Sequence, residues 1–154
     1  MDLESLLESF CRTFGFPPVP VEASGQARLC FSGDLNVDLE WRPGQDGLHL
    51  TGVVCAGVPD DPRLLRSLLQ ANAPRVAAWR TVLSLDPADG ALVVSVLLPQ
   101  AILTETTLAQ ALEEVLETME SWRHDLGDGA VSHPDTAEPQ ETAPRPSAGW
   151  NIRA

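Results

Sequence analysis

Three cysteines, Cys11, Cys30 and Cys55, and three histidines, His49, His124 and His133, are the side chains of this chain suited to thiolate or imidazole chemistry. A zinc or thiol-redox site needs such residues at short spacings, and a nucleophilic cysteine needs a cation or a histidine beside it to hold its thiolate. No His/Cys spacing of that kind and no constellation of His or Arg around a cysteine is present. The cysteines are odd in number, far apart and set among apolar residues, which predicts buried thiols and no disulfide framework. His49 falls in a strand-like run, His124 at a helix end and His133 in a Pro-rich stretch, so the sequence predicts no metal site and no cofactor.

The carboxylate pairs Asp60/Asp61 and Glu113/Glu114 are adjacent in sequence. On a helix, adjacent side chains point in different directions, so these pairs read as capping and solvated residues and not as a general acid with its base. No G-x-S-x-G elbow, phosphate-cradling loop or dinucleotide glycine pattern is present. The chain is therefore expected not to be an enzyme and to take no small-molecule substrate. Its 22 acids face 10 basic residues, all of them Arg, for a net charge of −12. That field repels phosphate backbones and anionic lipid, which argues against nucleic acid and membrane as partners. It also keeps in solution a protein that must expose apolar binding surface. The opening MDLESLLESFCRTFGF has no basic region and mixes acids with its apolar residues, and no apolar run approaches the ~20 residues that span a bilayer, so the expected location is the cytosol.

With 154 residues, 44% of them apolar, the chain suits one domain with one core. Leu3, Leu6, Leu7, Phe10 and Phe14 recur at steps of three and four and predict an amphipathic helix from Asp2 to about Phe14, stopped by Gly15 and Pro17-Pro18. Three strand-like runs follow, ARLCFS, LNVDLEWR and GLHLTGVVC, parted by Gly33-Asp34 and by Pro43–Gly47. The middle run alternates Leu35, Val37, Leu39 and Trp41 against Asn36, Asp38, Glu40 and Arg42, as in an antiparallel sheet with one wet face. Asp60-Asp61-Pro62 announces a second helix rich in leucine, ended by Asn72 and Pro74; Asn72 suits a helix end in left-handed geometry. A hairpin, AAWRTVLSLD and ALVVSVLLP, turns at Pro87-Ala88-Asp89-Gly90. A long helix starting near Thr104 or Thr106 carries Leu108, Leu112, Val115, Met119, Trp122 and Leu126 on one stripe. The predicted fold is α+β in the order αβββαββα: a twisted antiparallel sheet of about five strands with three helices, over residues 1–126. Residues 127–154, rich in Pro, Gly and acids, cannot bury enough surface to offset their ordering entropy and are expected to form a disordered tail.

This order of elements resembles the class I type III secretion chaperones, the family that includes the chaperones of Tir-like and Yop-like effectors. The segments that carry the resemblance are LESLLESFCRTFGFP, LLRSLLQANA, LSLDPADGALVVSVLLP and the acidic last helix ending in Glu120-Ser121-Trp122-Arg123. The resemblance implies a homodimer in a bacterial cytosol, with Leu64, Leu65, Leu68 and Leu69 of the second helix facing the twin subunit. It implies a secreted effector protein as partner, whose extended N-terminal segment adds β-pairing at a sheet edge and seats apolar anchors near the first helix. Candidate groove residues on that analogy are Leu3, Leu7, Phe10 and Phe14 with Val37, Leu39 and Trp41, and the secretion-system ATPase is a further implied partner. A second reading of the pattern is a monomeric helix-grip domain, in which a curved sheet grips the last helix around an apolar ligand cavity.

Overall fold

The computed structural model describes residues 3–42, 47–58, 60–73, 81–127 and 152–153. Residues 43–46 of the predicted Pro43–Gly47 turn, the run 74–80 and residues 128–151 of the expected tail lie outside them. Helix α1 spans Leu3–Phe14, followed by strands β1 (Gln26–Phe31), β2 (Leu35–Arg42) and β3 (Gly47–Cys55). Helix α2 (Pro62–Ala71), strands β4 (Val82–Leu85) and β5 (Leu92–Pro99), a short 3-10 turn (Gln100–Ile102) and helix α3 (Glu105–Leu126) complete the predicted order. A further two-residue strand, β6, lies at Ile152–Arg153. The fold is α+β, and its single antiparallel sheet runs β4-β5-β3-β2-β1-β6. The expected five strands are there; the sixth comes from the segment read as a disordered tail. The backbone of Ile152 and Arg153 is paired to β1.

Local chemistry explains the boundaries. Asp61 caps α2 by accepting from the Arg63 amide at 2.9 Å, and Pro62 stands at the first helical position, where a missing N–H costs nothing. Thr104, not Thr106, caps α3, in a reciprocal box with Thr107. Gly15 ends α1 with φ +72, and the β1–β2 turn places Gly33 at φ +80 and Asp34 at φ +56, a conformation that glycine and aspartate tolerate. In the β4–β5 turn, Asp86 accepts from the Ala88 amide at 2.8 Å and Asp89 from that of Ala91 at 2.9 Å.

Alternation along each strand sends one set of side chains inward. Leu29, Val37, Leu39, Leu48, Leu50, Val94 and Leu98 are fully buried on the face that α3 covers, with α1 packed beside α3. The stripe of α3 buries Leu108, Leu112, Val115 and Met119 as the periodicity predicts, and adds Ala111 and Leu116. Helix and sheet approach so closely that a Cβ placed on Gly52 would lie 2.4 Å from the Met119 sulfur. Helix and sheet are thus in direct contact at this crossing. Gly52→Ala is expected to cost about 1–3 kcal/mol through overpacking, seen as a lower urea midpoint with an unchanged slope.

Candidate functional site

Leu3, Leu7, Phe10, Val37 and Leu39 are each 3% exposed or less and belong to the protomer's core. Periodicity correctly found the apolar face of α1 and of β2. It could not show that α3 and the rest of the sheet cover those faces, each buried side chain contributing roughly 1.5–3 kcal/mol. Phe14 and Trp41, the other two candidates, are half-buried and pack on the core from its margin.

Phe14 stands in an aromatic cluster at the C-terminal end of α1. Its ring centroid lies 5.0 Å from that of Phe10 and 6.5 Å from that of Phe16, and Phe10 and Phe16 stack at 5.7 Å. The chain reverses there through the Phe16 amide, which donates to the Cys11 carbonyl at 2.8 Å. Burial pushes the Cys11 thiol up from its ordinary value, so it stays protonated and acts as a small apolar side chain. Val19 and Val21 continue the half-buried rim toward β1, and the Trp41 amide donates to the Gly25 carbonyl at 3.0 Å. Phe14, Phe16, Val19, Val21 and Trp41 thus give the α1–β1 connection and the end of β2 a partly exposed apolar margin.

Two polar latches position α1 and α3. Ser9 and Thr13 of α1 both donate to the Glu105 carboxylate at the start of α3, the latter at 2.8 Å. These bonds hold the Glu105 carboxyl below the usual carboxylate range. Because the folded-state value is the lower one, the latch stabilises the fold above the ordinary carboxylate value near 4.5 and is lost as pH falls through the depressed value. Glu105→Gln is therefore expected to flatten the acid limb of the melting-temperature profile, leaving the variant closer to wild type at pH 3 than at pH 7.

At the other end of α3, Arg123 reaches into the sheet. Its guanidinium donates to the carbonyls of Val54 at 2.8 Å, Gly33 at 3.1 Å, Val53 at 3.1 Å and Asp34 at 3.3 Å. Burial lowers its pKa from the usual guanidinium value, yet it keeps its charge, and its planar fork ties the β1–β2 turn to the end of β3. The sequence shows only a basic residue in a last helical turn; its partners lie some 70 to 90 residues away.

Helix α2 packs beside β4 and supplies the other candidate surface. Leu68 is buried in the protomer's core at 6% exposure. Leu64 and Leu65 are half-buried, and Leu69 is 75% exposed, the most exposed large apolar side chain among the described residues. Leu85 of β4 is also exposed. Asn72, at φ −78, is not in left-handed geometry. Instead, its carboxamide donates to the Leu83 carbonyl and accepts from the Leu83 amide, each at 2.8 Å, standing in for a neighbouring strand on the outer edge of β4.

Among the described residues no group of three or more His, Cys, Asp or Glu could hold a metal ion, and no helix is long and apolar enough to cross a membrane. No curated protein matches the chain. Solved structures do. A chain in the HopA1–SchA chaperone–effector complex is similar over 78% of this chain and 91% of its own, with 24% identity and a TM-score of 0.67. One in the complex of the Yersinia pestis type III secretion chaperone SycH with a fragment of YscM2 shares 18% identity over 77% of this chain and 97% of its own, at a TM-score of 0.66. One in the ExsC–ExsE complex shares 21% identity over 84% of this chain and 99% of its own, at a TM-score of 0.64. These likenesses establish the fold. The model of the Tir chaperone protein (CesT) family matches residues 5–123, from the first turn of α1 to Arg123 near the end of α3. The chain belongs to the Tir chaperone (CesT) family of type III secretion chaperones.

Proposed function

We propose that this protein is a homodimeric chaperone of the bacterial cytosol that binds the N-terminal region of a secreted effector, keeps that segment non-globular and delivers it to the type III secretion apparatus. The observation that carries the reading is the family match across the whole helix-and-sheet domain. The half-buried margin of Phe14, Phe16, Val19, Val21 and Trp41 suits the apolar anchors of an extended client, and the exposed Leu69 suits an isologous helix contact with a second copy. Binding of this kind needs apolar contact and strand pairing, with no cofactor and no chemical step, so the protein acts as a carrier and not as an enzyme. Its client complex is then a substrate for docking at the secretion-system ATPase.

The test is a pull-down from the source bacterium with the full chain as bait, followed by limited proteolysis of what co-elutes. The expected result is one large secreted protein protected only in its N-terminal region. Recovery of the bait without a partner from cells in which the secretion system is induced would overturn the reading.

A further inference from the structure

A sheet with open ends offers unpaired N–H and C=O groups at both edges, and each edge invites another strand. In this sheet the two edges are treated differently. On β4 the Asn72 side chain occupies both backbone groups of Leu83, which closes that edge to strand pairing at its centre. On β1 the occupant is a strand: Phe31 is aligned antiparallel with Ile152 and Cys30 with Arg153. The β6 pairing is short and covers only the end of β1 nearest the β1–β2 turn, leaving Gln26–Leu29 without a strand on that side among the described residues.

The covalent path makes this pairing easy to form. Arg123, near the end of α3, binds the carbonyls of Gly33 and Asp34, two and three residues past Phe31. The chain thus leaves α3 beside the same end of β1 to which it returns at Ile152. Residues 128–151, 24 in all, join the two points. Fully extended they would span about 80 Å, far more than the return requires. The pairing is therefore intramolecular, and at two residues it is short enough to be exchanged.

We propose that the chain's own C-terminal segment, Ile152–Arg153, is the resident occupant of the β1 edge and that an incoming extended peptide must displace it. As a gate on effector binding, the displacement rests on the chaperone reading above; the occupancy of the edge does not. A client that pairs with β1 first competes with an intramolecular strand, so weak or misregistered segments are rejected. The site is presented empty only when a better strand is at hand.

The register supplies the test. Residues directly opposite in an antiparallel pair have Cα atoms about 4.5–5.5 Å apart, within the range a disulfide bridges, so Arg153→Cys in the full chain sets a thiol opposite Cys30. Mild oxidation at low concentration is expected to give an intramolecular disulfide between Cys30 and the introduced thiol, located by peptide mapping. The other two cysteines, Cys11 and Cys55, are buried and do not compete. The probe for the vacated edge is a fluorescent peptide of residues 149–154, GWNIRA. It is expected to bind full chain carrying Ile152→Pro and Arg153→Pro, which cannot donate strand hydrogen bonds, at least five-fold more tightly than wild type. Oxidised Arg153→Cys chain should not bind it, and reduction of that same sample should restore binding. Equal affinity in all forms would overturn the proposal, as would a disulfide that forms only between two copies or not at all. If these results hold while the bait captures no effector, the edge stands and the chaperone reading falls; the reverse pattern condemns the edge alone.

Discussion

On the homodimeric reading proposed above, Leu69→Asp is expected to give a monomer at micromolar concentration without unfolding the protein. The side chain is 75% exposed in the protomer, so the substitution disturbs no internal packing. In an isologous interface the change enters twice, and each carboxylate loses its water to an apolar surface with no partner. A loss of at least ~3 kcal/mol in association, over 100-fold in the dimer dissociation constant, follows from the cost of uncompensated buried charge. Mass-resolved chromatography across a dilution series reads the shift, and circular dichroism checks that the fold persists. Leu68→Asp should behave differently. Leu68 lies in the core, so that variant is expected to misfold instead of yielding a folded monomer. A Leu69→Asp protein that remains dimeric would remove α2 from the interface.

The second large effect concerns Arg123. Removing its side chain strips four carbonyls, two in the β1–β2 turn and two at the end of β3, of a charged donor at once. Such bonds contribute roughly 1.5–3 kcal/mol each in isolation but act here as a unit, so Arg123→Ala is expected to cost about 3 kcal/mol in total. For a domain of this size that lowers the melting temperature by roughly 10 °C. Arg123→Lys should recover less than half of the loss, because an ammonium cannot present a planar fork to four acceptors. Hydrogen exchange at the β1–β2 turn should rise in both variants, and unchanged exchange there would show that the turn does not depend on the helix end.

Most of the architecture was legible in the sequence because local rules and tertiary packing agree. The Asp61-Pro62 start of α2, the Gly33-Asp34 turn and the Asp89-Gly90 turn each satisfy a local backbone demand, and the alternation in β2 matches the one face that α3 covers. The functional surface was less legible for a physical reason. Hydrophobic periodicity identifies a face but not what lies against it. Leu3 and Leu7 read the same whether they meet α3 or a client, and only the packed structure assigns them to the core. Arg123 and Asn72 act on backbone groups that are distant in sequence or belong to another element, and such partners leave no trace in spacing. Ile152 and Arg153 sit in a stretch whose composition opposes order. Two residues gain a strand there because β1 offers an edge to pair with, not because their own sequence demands it.

The proposed role as a dimeric carrier of another polypeptide is put to the test by native mass spectrometry of the full chain purified together with its co-eluting partner. The expected result is two copies of this chain with one secreted protein, released as an intact dimer when the partner is removed. A single copy at micromolar concentration that retains no polypeptide under secretion-inducing growth would contradict it.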